Sequence, residues 1–331
     1  MAMILVTGGT GLVGAHLLLH LIENEESVRA IYRNLESKQK TKDLFSLYKK
    51  TALFEKIDWI QADIIDVPSL EIAFEKAEYV YHCAALISFD PKDEHLLRKT
   101  NIEGTANIVN FCIAKAVKKL CFVSTIAALG DLKENEKIIT EEAEWNPEKP
   151  HSDYAISKYG AEMEIWRGQQ EGLETVIVNP GVIIGPGFWE QGSGLLFKKV
   201  ANGLSFYTKG ITGFIAVPDV VQVAVRLMKS EHSNERFTLI AENISFRNLL
   251  NSIADSLNVK RPSIHASPLL VNILYRIDWF FSNILGKKRK LDKAIANASY
   301  AQNWYSNEKI KTALSTEFLG IHQYIKDISR L

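Results

Sequence analysis

The sequence predicts an α/β protein built on a doubly wound parallel sheet, followed by a smaller C-terminal region. Three observations carry that expectation. Short β-branched or aromatic runs alternate with amphipathic stretches, and a glycine-rich turn joins the first run to the first stretch. The alternation then lapses after about residue 185.

The strand runs are "MILVT" (3–7), "VRAIY" (28–32), "IDWIQ" (57–61), "YVYHC" (79–83), "KLCFVS" (119–124) and "TVIVN" (175–179), with "ERFTLIA" (235–241) as a candidate last strand. Each is bounded by glycine, charge or turn residues, as buried parallel strands should be. The helical stretches between them carry apolar stripes. Val13, Leu17, Leu18 and Leu21 share one face, and Ile102, Ala106, Val109 and Ile113 share another. Strand–helix alternation of this kind predicts right-handed crossovers. The sequence therefore divides into a dinucleotide-binding part over 1–183, with the chain returning to the sheet at 214–241, and a mainly substrate-binding region over 184–331.

Bulk composition excludes several classes. A chain of 331 residues, 47% apolar and 24% charged, has an ordinary globular core in one large domain or two smaller ones. Net charge is zero, which argues against a nucleic-acid binder held by bulk electrostatics. The three cysteines, Cys83, Cys112 and Cys121, lie far apart in apolar runs. They read as buried thiols in a reducing cytoplasm rather than disulfides, and no metal site is expected. The N-terminal apolar run is too short for a signal peptide, because glycines follow at once.

The turn "TGGTGLVG" (7–14) satisfies Gly-x-Gly-x-x-Gly at 9, 11 and 14, and Gly-x-x-Gly-x-x-Gly at 8, 11 and 14. Placed between the first strand and first helix, Gly8, Gly11 and Gly14 let the backbone approach a pyrophosphate at the helix N-terminus. An acidic residue about 20 positions on would address a ribose 2′-hydroxyl. Arg33 stands there instead, in "IYRN", with Lys38 and Lys40 nearby. A guanidinium can hold a 2′-phosphate in a bidentate contact, which favours NADP(H) over NAD(H). A solvated strand-end arginine is the alternative reading.

Two Tyr-x-x-x-Lys pairs occur, Tyr154–Lys158 in "YAISK" and Tyr305–Lys309 in "YSNEK". The spacing alone does not choose between them. The first pair begins a helical run and lies 29 positions after Thr125, at the end of a predicted buried strand. The second has no strand-end hydroxyl at comparable spacing before it.

These motifs together resemble the extended short-chain dehydrogenase/reductases, and most of all the dihydroflavonol-4-reductase and 3β-hydroxysteroid-dehydrogenase branch. The resemblance covers nearly the whole chain, more loosely beyond residue 190. It implies a Rossmann-like fold and assigns residues from the matching segments. "TGGTGLVG" supplies Leu12 and Val13 beside the glycines, and "ADIID" (62–66) supplies Asp63, facing the adenine amino group, with Ile64. "HCAA" supplies Ala84 and Ala85, "TNIEGTANIV" supplies Asn101, and "NPGVIIGPG" supplies Pro180, Gly181 and Val182 beside the nicotinamide.

The catalytic set implied is Thr125, Tyr154 and Lys158, with Ser124 as a neighbouring hydroxyl. Lys158 would favour the phenolate of Tyr154, lower its pKa and hydrogen-bond the nicotinamide ribose. Tyr154 and Lys158 thus also count as cofactor-binding residues. Thr125 would donate to the substrate oxygen.

One departure bears on substrate. Nucleotide-sugar enzymes of this kind usually carry an arginine where "TGFIAVPDVV" (212–221) has Thr212, although Arg226 or Arg247 could substitute. The expected activity is hydride transfer between NADP(H) and a ketone or secondary alcohol of a small, hydrophobic molecule. Two alternatives stand beside it: a nucleotide-sugar epimerase or dehydratase with tightly bound NAD, and a non-catalytic dinucleotide-binding regulator. The apolar stretch 269–285, followed by "GKKRK" (286–290), reads as a helix that packs as core, lines a greasy pocket or touches an anionic membrane. A homodimer is a further expectation of the resemblance.

Overall fold

The computed structural model describes residues 2–267 and 300–331. The stretch 269–285 and the basic cluster 286–290 lie outside the described residues. Seven strands form one sheet: β1 (Met3–Thr7), β2 (Ser27–Tyr32), β3 (Asp58–Gln61), β4 (Ala77–His82), β5 (Lys119–Val123), β6 (Thr175–Pro180) and β7 (Glu235–Leu239). Their spatial order is β3-β2-β1-β4-β5-β6-β7, and every pairing is parallel. The order reverses between β1 and β4, which opens a crevice at the C-terminal strand ends, where doubly wound folds bind ligands.

One principal helix fills each crossover. In chain order these are α1 (Leu12–Glu23), α2 (Leu35–Leu47), α3 (Val67–Ala73), α4 (Gly104–Ala114), α5 (Asp153–Gln170) and α6 (Val217–Met228). A π-helical turn, Arg98–Glu103, leads into α4. Alternate residues of each strand point to opposite faces. Val6, Ala30, Tyr81, Cys121, Val178 and Phe237 pack with Leu17, Leu18 and Leu21 of α1 and with Val220, Val223 and Leu227 of α6. On the other face Leu5, Ile31, Val80, Leu120, Phe122 and Ile177 meet Leu70 of α3, Val109 of α4 and Ala161 and Ile165 of α5. Both faces are covered, so the strands read as nearly continuous apolar runs. All three cysteines are free thiols, and Cys112 and Cys121 are fully buried.

The region after β6 builds a second core. Val182–Ile184, Ile211–Ala216 and Glu242–Ser245 form a three-stranded sheet whose interior includes Phe214, Phe197, Leu249, Ile253, Ile321 and Ile325. The return of the chain is finer-grained than the sequence suggested. The segment 211–216 stays in this small sheet, and α6 then carries the chain back to β7 at the edge of the large one. The penultimate helix of the chain, Glu308–Leu314, also reaches the large sheet, with Ile310 and Leu314 in its core. One short pairing, 138–139 with 304–305, ties the regions together, and another, 206–207 with 264–265, lies within the C-terminal region. No described helix is long and apolar enough to cross a membrane.

Candidate active site

The glycine turn is built for close approach. Gly8 has φ +69°, a left-handed conformation, and a Cβ there would sit 2.5 Å from the Ala84 nitrogen. A Cβ on Gly14 would lie 2.2 Å from the Gly8 carbonyl oxygen. Gly11 caps α1 without any side-chain acceptor, so the N–H groups of Leu12, Val13 and Gly14 open the helix with its positive dipole end outward. A phosphate group fits such a cradle, and bulkier residues would not.

Around this turn the expected cofactor residues gather at the C-terminal strand ends. Ala84, followed by Ala85, donates its backbone N–H to the Thr7 hydroxyl at 3.3 Å. Asp63 follows β3 and accepts from the Ile65 N–H at 3.2 Å, with buried Ile64 between them. Arg33 directly follows β2 and is exposed, and its carbonyl accepts from Gln61 at 3.2 Å. Its neighbours are engaged elsewhere. The Lys38 ammonium lies 5.0 Å from the Tyr32 ring and 5.3 Å from the Trp59 ring, while Lys40 pairs with Glu36 at 3.4 Å. Gly181, between Pro180 and Val182, donates to the Leu239 carbonyl at 3.1 Å, and a Cβ there would strike the Gly213 backbone.

Asn101 sits in the π-helical turn and is nearly inaccessible. Its amide clamps Leu86 through two bonds, at 2.7 and 3.0 Å, and donates to Ser157 at 2.9 Å. The side chain thus fixes the loop after β4 against α5. Beneath it runs a buried chain that sequence reasoning missed: Thr7 to His82 at 2.6 Å, and His82 to Thr105 at 3.0 Å.

Tyr154 opens α5, whose N-terminus is capped by the Ser152 hydroxyl accepting from Ala155 at 3.1 Å. The phenol is hydrogen-bonded to Thr125, so the two groups that the sequence separated by a loop meet. Phe89 packs against the phenol ring with centroids 5.7 Å apart. Of the two adjacent hydroxyls, Thr125 faces Tyr154, and Ser124 turns inward to donate to Glu162 at 2.5 Å.

Lys158 is fully buried one turn further along α5. It donates to the Val123 carbonyl at 2.9 Å and lies 4.1 Å from the Phe122 ring centroid. Burial pulls its pKa down to about 8, against the raising effect of Glu162 and Cys83. The expectation that Lys158 depresses the Tyr154 pKa needs correction. Burial pushes the phenol up to about 12, and the opposing influence is the Thr125 hydrogen bond. The ammonium is committed to a backbone carbonyl here, and loss of water disfavours the charged form of the phenol.

The second Tyr-x-x-x-Lys pair is structural. Tyr305 lies in a strand, buried, with its hydroxyl bonded to Asn303 and Thr212. Lys309 belongs to the following helix and pairs with Glu235 at 2.9 Å. The two residues occupy different elements, so the spacing creates no shared helix face.

Buried imidazoles near the glycine turn give the fold a pH dependence. Burial lowers His82 to about 3 and His16, on α1, to about 4, from an ordinary 6.5. The unfolded chain takes up these protons below pH 6.5 while the folded one does not, so stability drops as pH falls through that window. His16 alone should account for about 2 kcal/mol between pH 7 and pH 5. In His16→Gln, calorimetry should find a clearly smaller loss of Tm over that interval; an equal loss would show a charged imidazole in the fold.

Comparison with known proteins agrees with this geometry. A putative dihydroflavonol 4-reductase of Synechocystis sp. is 26% identical over 336 residues, covering 97% of this chain and 92% of that protein. Among solved structures, UDP-glucose 4-epimerase of Thermotoga maritima with UDP-glucose superposes at TM-score 0.78 and 20% identity, covering 99% and 97% of the two chains. Yeast methylglyoxal/isovaleraldehyde reductase complexed with NADPH superposes at 0.75 and 20%, with the same coverage. At such identity the structures speak for fold alone, and they include both reductases and epimerases. The family model described as "NAD dependent epimerase/dehydratase family" matches residues 4–239, and the chain belongs to that family, as an NAD(P)-dependent enzyme of the extended short-chain dehydrogenase/reductase type.

Proposed function

We propose that the protein is an NADPH-dependent ketone reductase, reversibly an alcohol dehydrogenase, acting on a small hydrophobic molecule. The observation that carries this reading is the Thr125–Tyr154 hydroxyl pair, flanked by Phe89 and set above buried Lys158. On this reading residues 1–183, with the return at 214–241, hold the dinucleotide, and the substrate meets mainly 184–331. Gly8, Gly11, Leu12, Val13 and Gly14 would cradle the pyrophosphate. Asp63 and Ile64 would border the adenine, and Ala84, Ala85, Pro180, Gly181 and Val182 would line the nicotinamide end. The bound nicotinamide supplies the hydride.

The chain's own part is to handle charge on the substrate oxygen. A phenol held up to about 12 stays protonated at neutral pH, which suits it to give its proton to an oxygen becoming negative during reduction. Thr125 donates a second hydrogen bond to that oxygen and stabilises the developing charge. Lys158, one turn further along α5, would return a proton to the phenolate once the phenol has given up its own. Exposed Ile87 and Phe89 give the approach to Tyr154 an apolar border, suited to a lipophilic carbonyl.

The substrate class is also favoured by what stands at residue 212. Thr212 is bonded to Tyr305, so a hydroxyl with a partner of its own holds the place where a nucleotide diphosphate would need a cation. Arg226 is engaged by the Leu314 carbonyl, and Arg247 lies 4.8 Å from the Tyr207 ring. A tightly NAD-bound epimerase remains the second reading because of Arg247.

A panel of apolar ketones should deplete NADPH absorbance in the presence of the protein, which should purify without bound NAD. Arg33→Glu should weaken NADPH affinity by about tenfold or more and leave NADH affinity close to wild type, because one charge-assisted bidentate contact is lost. Equal losses for both dinucleotides would remove Arg33 from cofactor selection, and co-purified NAD with no ketone turnover would favour the epimerase.

A further inference from the structure

Behind the hydroxyl pair lies a carboxylate with no part in the proton transfer set out above. Glu162 sits on α5, one turn after Lys158, and its side chain is fully inaccessible. Three donors converge on it. Ser124 reaches Oε1 at 2.5 Å, Asn179 Nδ2 reaches the same oxygen at 2.6 Å, and Arg236 Nη1 lies 3.4 Å from Oε2. The Asn179 amide nitrogen also donates to the Thr125 carbonyl at 2.9 Å, so Glu162 is one residue removed from the backbone of Thr125. Arg236 comes from β7 and is itself held by the carbonyls of Glu141 at 2.9 Å and Ala143 at 3.2 Å. A buried carboxylate is costly unless paired and hydrogen-bonded; burial pushes Glu162 up from the ordinary carboxylate range, and Ser124, Arg236, Asn179 and Lys158 oppose that rise.

We propose that Glu162, braced by Arg236, is a positioning residue for the reaction: its carboxylate keeps Lys158 charged and fixes Thr125 through Asn179. The inference rests on reading Tyr154 and Lys158 as the proton-transfer pair. The neighbourhood of Lys158 leaves few other sources of charge. From β4 come His82, a neutral imidazole, and Cys83, whose thiol burial pushes up to about 12; from α5 comes Tyr154, a neutral phenol. Beyond these, Arg236 on β7 holds the second oxygen of Glu162, and the Glu141 carboxylate is engaged by the Thr238 N–H at 2.7 Å. Burial favours the neutral amine of Lys158, and the adjacent anion opposes it. Without that anion the ammonium would lose its proton at lower pH, and the phenol would lose the cation that recharges it.

The test compares Glu162→Gln with Glu162→Asp. In Glu162→Gln the alkaline limb of kcat/KM for ketone reduction should move down by about one pH unit, a tenfold change in the Lys158 proton equilibrium, with NADPH affinity at low pH retained. Glu162→Asp keeps the charge and should restore most of the profile. A folded Glu162→Gln protein whose profile superimposes on wild type overturns the proposal. A second measurement is independent of folding in the variant and of turnover. In the wild-type protein, NMR of the Glu162 carboxyl carbon should show an ionised group at neutral pH, and a protonated carboxyl there overturns the proposal outright. Wild-type protein that reduces no ketone would sink the parent reading, whereas an active wild type with an unshifted Glu162→Gln profile sinks this inference alone.

Discussion

Tyr154→Phe should lower kcat for ketone reduction by about 10²–10⁴-fold, the range for loss of a positioned general acid, while NADPH still binds within about threefold of wild type. The substitution removes one oxygen and leaves the ring against Phe89. The helix start survives too, because its cap is the Ser152 hydroxyl and not the phenol. Thr125 loses its partner but keeps its bond from the Ala127 N–H at 3.2 Å, so the strand end stays ordered. Stability should therefore fall by no more than about 0.5–1.5 kcal/mol, one ordinary hydrogen bond. A large kinetic loss with a small thermal one separates chemistry from folding. Stopped-flow reduction at saturating NADPH is the measurement, and turnover equal to wild type would refute the role given to the phenol.

A similar split runs through what the sequence disclosed. The seven strands of the large sheet were legible because strands covered on both faces must be apolar throughout, and a run such as "KLCFVS" suits no solvated element. The three-stranded sheet was not legible. Its pieces, such as "VII" at 182–184, are too short to show a period, and their partners lie far along the chain. Tyr154 could be distinguished from Tyr305 because one begins a helix after a strand-end threonine, and the structure puts the other in a strand. Glu162 escaped notice for a physical reason. A lysine and a glutamate four residues apart on a helix read as a solvated side-chain pair, and only the sheet topology brings Ser124, Asn179 and Arg236 around the glutamate. The lysine–phenol electrostatics failed as an expectation for a related reason. The direction of a long side chain inside a packed core is set by nearby carbonyls and rings, here Val123 and Phe122, which spacing cannot reveal.

Gly14→Ala should abolish dinucleotide binding in the accessible range and destabilise the fold by about 1–3 kcal/mol, the usual cost of overpacking. The added methyl would lie 2.2 Å from the Gly8 carbonyl oxygen, 2.7 Å from its carbon and 2.9 Å from the Gly9 Cα. All three are backbone atoms, so no side chain can swing aside. The turn cannot retreat either, since Gly8 is already pressed toward Ala84 and its carbonyl accepts from the Gly11 N–H at 3.0 Å. The remaining escape is for α1 to move off the sheet, which would open the packing of Leu17, Leu18 and Leu21. Gly11→Ala is the matched control. Its Cβ would meet only the Gly8 oxygen, at an ordinary 3.5 Å, so that variant should keep the Tm of wild type. Any affinity that Gly11→Ala loses then reports contact with the bound pyrophosphate, whereas Gly14→Ala must lose both affinity and stability together. Fluorescence titration with NADPH beside thermal unfolding would separate them, and a Gly14→Ala protein as stable as wild type would show that helix and turn are less tightly joined than these distances require.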